Sequence, residues 1–215
     1  MYNHKVIYKK QKINPSNKKK NETDEDDESG GDLVTCDENH IYFYDDVNTK
    51  NILTLIKYIK NINARLLLLK RDMEIKYNTN VDLEIYIHIN SYGGYITDAL
   101  SGVDAIKNSK IPITTIVEGA AASAATLLSV VGKKRQITKN ASMLIHQLSG
   151  ENAGTYEQLK DEMTNCTYLE DTCNKIYLEN TKKKLKKKFL KETLKHDLWW
   201  NADKCLQYGF IDEII

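Results

Sequence analysis

The sequence predicts an α/β fold, and three observations carry that prediction. The runs Ile85-Tyr86-Ile87-His88-Ile89 and Ile113-Thr114-Thr115-Ile116-Val117 are rich in β-branched and aromatic residues and read as strands. Stretches that read as helical precede the first run, Asp46 to about Leu69, and separate it from the second, Thr97 to Asn108. Gly93-Gly94 ends the first strand in a turn that needs no Cβ.

In chain order, residues 1 to 34 read as a disordered, charged tail, and residues 35 to 215 as one folded domain. In the tail, Lys18-Lys19-Lys20 precedes Asp24-Glu25-Asp26-Asp27-Glu28 and then Ser29-Gly30-Gly31. Charge blocks without apolar periodicity cannot bury enough surface to offset ordering entropy. The adjacent acids neutralise the lysines, so a solvated tail is expected rather than a nucleic-acid patch. The domain opens on strand Ile41-Tyr42-Phe43-Tyr44. The helix from Asp46 to Leu69 follows, with Ile52, Leu55, Ile56 and Ile59 on one stripe, and residues 70 to 80 read as a helix end and surface loop. After strand 85–89 and helix 97–108 come strand 113–117, helix 123–131, a short strand near Gln136-Ile137-Thr138 and strand 143–146. A long helix is predicted from Thr155 to Thr181. Lys182-Lys183-Lys184 and Lys186-Lys187-Lys188 read as a solvated helix face.

A chain of 215 residues with 41% hydrophobic and 28% charged residues suits one well-cored domain plus a tail. A net charge of +1 exerts no overall pull toward nucleic acid or anionic membrane, so neither is expected as a partner. No apolar run reaches the roughly 18 residues of a membrane-spanning helix. The start, Met1-Tyr2-Asn3-His4-Lys5, is too polar for a signal peptide, and a cytoplasmic protein is expected. Cys36, Cys166, Cys173 and Cys205 lack Cys-x-x-Cys spacing and are expected to be free thiols. No metal and no cofactor are expected, because His-Glu-x-x-His and Gly-x-x-x-x-Gly-Lys-Ser/Thr are both missing.

The chemistry concentrates at Glu118-Gly119-Ala120-Ala121-Ala122-Ser123-Ala124-Ala125, where one serine sits among alanines between a strand and a helix. A serine there would lie at a helix N-terminus, where unpaired N–H groups favour a developing negative charge. The sharper Gly-x-Ser-x-Gly elbow is absent, which argues against an α/β-hydrolase. Met143-Leu144-Ile145-His146-Gln147 delivers a histidine at the end of an apolar run, and His196-Asp197-Leu198-Trp199-Trp200 places a carboxylate before an aromatic pair. Ser123, His146 and Asp197 thus supply a nucleophile, a base and an orienter. His196 reads as a surface residue. His40 and His88 have no partner motif, and His88 alternates with Ile87 and Ile89, so it points away from their face.

Four blocks, Ile89-Asn90-Ser91-Tyr92-Gly93-Gly94, Gly119-Ala120-Ala121-Ala122-Ser123, Met143-Leu144-Ile145-His146-Gln147 and Tyr208-Gly209-Phe210-Ile211-Asp212, resemble the proteolytic subunit of the Clp protease from about Asn39 to Ile215. The 30-residue spacing from Gly93 to Ser123 matches as well. The resemblance implies a ClpP/crotonase-like spiral of β-β-α units with a protruding handle helix, here Thr155 to Thr181. It also implies a serine endopeptidase with Ser123 as nucleophile, His146 as general base and Asp197 as third member. The oxyanion hole falls on the backbone N–H groups of Gly94 and Ala124. Protein and peptide substrates, a homo-oligomer of seven-subunit rings, possible stacking of rings and a separate AAA+ unfoldase are further implications. Tyr92 replaces a proline of the bacterial pattern, Ala124-Ala125 stands for Met-Gly, and Leu148 replaces the proline after His-Gln. The Ala-Ser-Ala-Ala run is closer to the Clp-like proteases of phages and large DNA viruses, for which the location would be the host cytoplasm.

Two alternatives remain open from sequence. One is a signal-peptide-peptidase-like Ser–Lys protease, since Lys133 and Lys134 follow Ser123 closely. The other is a catalytically silent structural subunit of a Clp-like ring.

Overall fold

The computed structural model describes residues 33–215, so all but the last two residues of the predicted tail lie outside the described residues. The first described strand begins within the last residues of that predicted tail. Val34 opens β1 (Val34–Asp37), which pairs antiparallel with β2 (His40–Phe43) across a turn in which Glu38 adopts φ 48°. The predicted first strand is therefore the second arm of a hairpin. Val34, only 2% exposed, belongs to the core.

Helix α1 (Thr49–Tyr77) starts where the Asn48 side chain accepts the Asn51 N–H. It buries Ile52, Leu55, Ile59, Ile62 and Leu66 against the sheet. The helix runs to Tyr77, through most of the segment expected to be a loop. It stops at Asn78, whose left-handed φ of 50° turns its N–H back to the Glu74 and Met73 carbonyls. The stretch from Leu67 to Tyr77 carries charges and exposed apolar residues without a core-facing stripe, which is why periodicity ended the helix early.

Strand β3 (Ile85–Ser91) pairs parallel with β2 on one side and with β4 (Ile113–Ala122) on the other, with α2 (Ile96–Lys107) as the crossover. Alternation along β3 and β4 sends Ile85, Ile87, Ile89, Ile113, Val117 and Ala121 into one apolar core. Strand β4 is longer than predicted because Gly119 and the following alanines stay extended. It also changes neighbours midway. Residues 114 to 117 pair with β5 (Lys134–Ile137), whereas 120 to 122 pair with β6 (Ser142–Leu144). The sheet order is β1-β2-β3-β4-β5-β8, with β6 branching from β4 to carry β7 (Trp199–Asn201) antiparallel, and β8 (Glu213–Ile214) closing the far edge.

Between β4 and β5 runs the buried helix α3 (Ala124–Val130), and after β6 the chain enters α4 (Tyr156–Asn180). Thr155 and Gln158 form a reciprocal capping box at the start of α4. Only its last turns, at Cys173, Asn174, Ile176 and Tyr177, are buried. Tyr156, Met163 and Tyr168 are 75%, 68% and 71% exposed, so the first turns do not fold back onto the domain.

Two short helices, α5 (Lys187–Thr193) and α6 (Ala202–Gln207), were not predicted. The first lysine cluster is a turn, with Lys182 and Lys183 at positive φ and the Lys182 ammonium 2.6 Å from Asp212. Asp212, from the last sequence block, also receives Arg135 at 2.6 Å and 3.0 Å. Arg135 is 2% exposed and donates as well to the Asn180 and Gly209 carbonyls, joining the end of α4 to the C-terminal segment.

Candidate active site

Ser123 sits at the junction of β4 and α3 with φ 53° and ψ −127°, a backbone conformation seldom adopted by residues other than glycine. Its N–H donates to the Leu144 carbonyl at 2.8 Å, and its carbonyl accepts from the N–H and hydroxyl of Thr126. A strained serine clamped on both sides is a preorganised one. The neighbours explain why this chain needs no Gly-x-Ser-x-Gly: Ala122, Ala124 and Ala125 are at most 1% exposed, with no room for larger side chains.

The Asn90-Ser91-Tyr92-Gly93-Gly94 block packs directly against this turn. The register between β3 and β4 shifts after Ile89, and there the Asn90 side chain accepts the Ala120 N–H while the Ser91 hydroxyl accepts the Gly93 N–H. Gly93 and Gly94 adopt φ 97° and 151°. A Cβ on Gly93 would lie 2.8 Å from the Ser123 Cβ and 3.0 Å from the Ala124 nitrogen; one on Gly94 would lie 2.2 Å from the Val47 carbonyl oxygen. The bridge to Val47 uses the Gly93 carbonyl and the Tyr95 N–H, so strand alternation turns the Gly94 N–H to the other side. The Ala124 N–H belongs to the first turn of α3, where no intrahelical acceptor exists.

Strand register brings the remaining candidates in. Ala122 pairs with Leu144, so Ser123 lies one residue and His146 two residues past that pair. Leu144 in turn pairs antiparallel with Trp199, and continuing that register two residues sets His146 opposite Asp197. The Gln147 N–H donates to the Leu194 carbonyl at 2.7 Å, fixing the chain just beyond His146. Ser123 and His146 line one cleft with Ile96, Leu148, Tyr177 and Leu194. The His146 side chain is 8% exposed, and burial lowers its pKa below 6.5, with the Asp197 charge pulling upward less strongly. His146 is thus a neutral imidazole at pH 7.

Asp197 is placed more loosely. Its carboxylate is 3.6 Å from the His146 Nδ1, beyond hydrogen-bond reach, and 71% exposed. His196 is exposed, as expected. Lys134 pairs with Thr114 near the start of β4, nine residues before Ser123, and its ammonium contacts Glu213 at 2.7 Å. At about 3.3 Å per residue, that end of the strand is roughly 30 Å from the serine.

Sequence reasoning missed several contacts. Tyr177 closes the cleft floor with its hydroxyl 2.7 Å from the Thr126 Oγ1. His88 does lie on the face away from the core, but it has partners: His40 at 2.9 Å and Glu118 at 2.8 Å, with Tyr44 on the second Glu118 oxygen. Residues alternating along three adjacent strands make this cluster, which no local motif announces. Among the described residues no group of three or more His, Cys, Asp or Glu side chains is arranged to hold a metal ion, and no helix is long and apolar enough to cross a membrane. All four cysteines are free.

A strained serine at a strand-to-helix junction, sharing a cleft with a buried neutral histidine, is the arrangement of a serine hydrolase. A Clp protease family model matches residues 36–215, and the chain belongs to the Clp protease family, which makes it a serine-type endopeptidase with the α/β fold of that family. It is similar to proteins named ATP-dependent Clp protease proteolytic subunit. That of Streptococcus sanguinis (strain SK36) is 36% identical over 137 residues, which are 61% of this chain and 68% of that protein. That of Leuconostoc citreum (strain KM20) is 37% identical over 136 residues, 61% of this chain and 67% of the relative. That of Streptococcus mutans serotype c (strain ATCC 700610 / UA159) is 36% identical over 137 residues, with shares of 61% and 68%.

Proposed function

We propose that this chain hydrolyses peptide bonds in proteins through a Ser123–His146–Asp197 triad. Its Oγ attacks the scissile carbonyl as His146 takes the proton, and the Gly94 and Ala124 N–H groups receive the oxyanion. His146 then returns the proton to the departing amine, and water releases the acyl group from Ser123 by the same route. Asp197, 3.6 Å from the His146 Nδ1, favours the tautomer protonated there and stabilises the imidazolium by its charge. The observation that carries this reading is the paired register β4–β6–β7, which delivers one residue of each type to adjacent strand ends. The same register speaks against a lysine base, since Lys134 belongs to the other end of β4.

The assembly we infer is a ring-forming homo-oligomer, of seven subunits per ring as the family resemblance implies. Support comes from α4, whose outer turns present Leu159, Met163 and Tyr168 to solvent at 39%, 68% and 71% exposure. The chain has no nucleotide-binding loop, so any unfolding of substrates falls to a separate ATPase, and the place of work is the cytoplasm. Residues 35 to 215 would constitute the protease, with the charged N-terminal segment as an appendage.

The deciding experiment is labelling with a fluorophosphonate probe, with the labelled species sized by analytical ultracentrifugation. Wild type is expected to react at one serine, Ser123→Ala to show no labelling, and the labelled species to sediment far above the 24.7 kDa monomer. Labelling at another serine would remove the nucleophile assignment. A fully active monomer would remove the ring. Absence of labelling in the wild type would leave the silent structural subunit as the better reading.

A further inference from the structure

One row of paired residues crosses the sheet immediately before the catalytic turn. Ser91, Ala121, Met143 and Trp200 are partners across β3, β4, β6 and β7, and all are buried on the core side. The next row, Ala122, Leu144 and Trp199, faces the opposite way, and Tyr92 follows just past the end of β3 beside it. Ala122 and Leu144 are outside the main core, yet they are only 1% and 2% exposed. Trp199 ends this row and Tyr92 stands beside its other end, and their rings meet edge to face at 6.2 Å and 85°. The two rings reach toward each other over the shorter side chains between them.

These rings are themselves poorly buried, Tyr92 at 58% and Trp199 at 46% exposure, with Leu198 beside them at 60%. A large aromatic pair left half in solvent next to a reaction centre is surface with a use. Its position identifies the use. Leu144 and Trp199 are each two residues from the candidate base and its carboxylate, on the same strands. The departing amine must take its proton from His146, so the substrate residue just after the scissile bond passes on the His146–Asp197 side. The cleft between Ser123 and the end of α4, lined by Ile96, Leu148, Tyr177 and Leu194, is left for the acyl half.

Building on the triad reading above, we propose that Tyr92 and Trp199 form the recognition surface for the residue on the leaving-group side of the cleaved bond, and that they select a large apolar or aromatic side chain there. Edge-to-face geometry leaves the outer faces of both rings open to stack on such a side chain. An aspartate or glycine at that position finds no partner.

The test uses the full chain and internally quenched peptides that differ only in the residue after the scissile bond: Phe, Leu, Gly or Asp. A methyl ester carrying the same acyl half, with no residue on the leaving-group side, is assayed in parallel. Wild type is expected to prefer Phe over Asp by about tenfold in kcat/KM, the range a single apolar subsite supplies. Trp199→Ala and Tyr92→Ala are each expected to reduce that ratio to about twofold, and Trp199→Phe to retain most of it. The two alanine variants lie on different segments of the chain, so loss of one fold still leaves the other to be read, and ester turnover reports a competent acyl half. A wild type without the preference, or variants that turn over the ester and keep the full ratio, would overturn the assignment alone. A wild type that neither hydrolyses the ester nor reacts with fluorophosphonate would overturn the protease reading and this subsite with it.

Discussion

His146→Ala is expected to lower peptidase kcat/KM by about 10⁴- to 10⁶-fold, the scale seen when a base that works as a unit with its nucleophile is removed. Lys133→Ala and Lys134→Ala are expected to stay within about twofold of wild type, since both lysines lie at the far end of β4. The reverse ranking would restore the Ser–Lys mechanism. The pH profile supplies an independent check. Burial depresses the His146 pKa, so the base is already neutral below pH 6.5 and the acid limb of kcat/KM should lie below that value. Asp197 opposes the depression, so Asp197→Asn should move the limb to still lower pH. Its cost in rate should be smaller than that of losing His146, because at 3.6 Å and 71% exposure the carboxylate orients the ring only loosely. An acid limb above 6.5 would contradict the environment described for the imidazole.

The second large effect concerns stability. Asp212→Asn is expected to lower the unfolding free energy by about 3 kcal/mol or more, because it leaves the buried Arg135 guanidinium without its counter-charge. A denaturant titration reads this as a lower midpoint with unchanged slope. A loss under about 1 kcal/mol would mean that the Asn180 and Gly209 carbonyls suffice for the arginine. Burial alone would raise the Asp212 pKa, but hydrogen bonds from Arg135 and Lys182 outweigh it and hold it at about 2. With a folded pKa below the ordinary 3.8, the contribution is complete above pH 4 and is lost as pH falls through about 2. The same guanidinium anchors the end of α4, so the variant also loosens the helix that places Tyr177 under the cleft.

The candidate site residues were legible because their motifs are local. Asn90 through Gly94 is a turn whose glycines have contacts that forbid a Cβ, and the alanines around Ser123 mark a backbone that must pass close to its neighbours. The helices over 96–107 and 156–180 were legible as elements, the second also from the family resemblance, while the Thr155 and Gln158 cap emerged only in the structure. What escaped was of two kinds. Short elements, β1, β7, β8, α5 and α6, have seven residues or fewer and are held by tertiary pairing more than by their own propensity. Contacts between distant strands also escaped. His40 is 48 residues from His88 and His88 is 30 from Glu118, and Arg135 is 77 residues from Asp212. The run of α1 to Tyr77 was missed for a third reason: its last turns are exposed, so no apolar stripe marks them.

The fork in β4 divides the labour of the site between parts of unequal strength. Ser123 follows a ten-residue strand that is common to both branches of the sheet, whereas His146 and Asp197 lie two residues beyond the ends of β6 and β7, three residues each. Short as it is in ladder bonds, this flap is seated by Met143 and Trp200, both 2% exposed in the core, so releasing it also costs their burial. The geometry proposed for the site therefore depends on how those two side chains pack. A neighbouring molecule that gripped or released this flap would act as a rheostat on turnover while leaving the rest of the fold undisturbed.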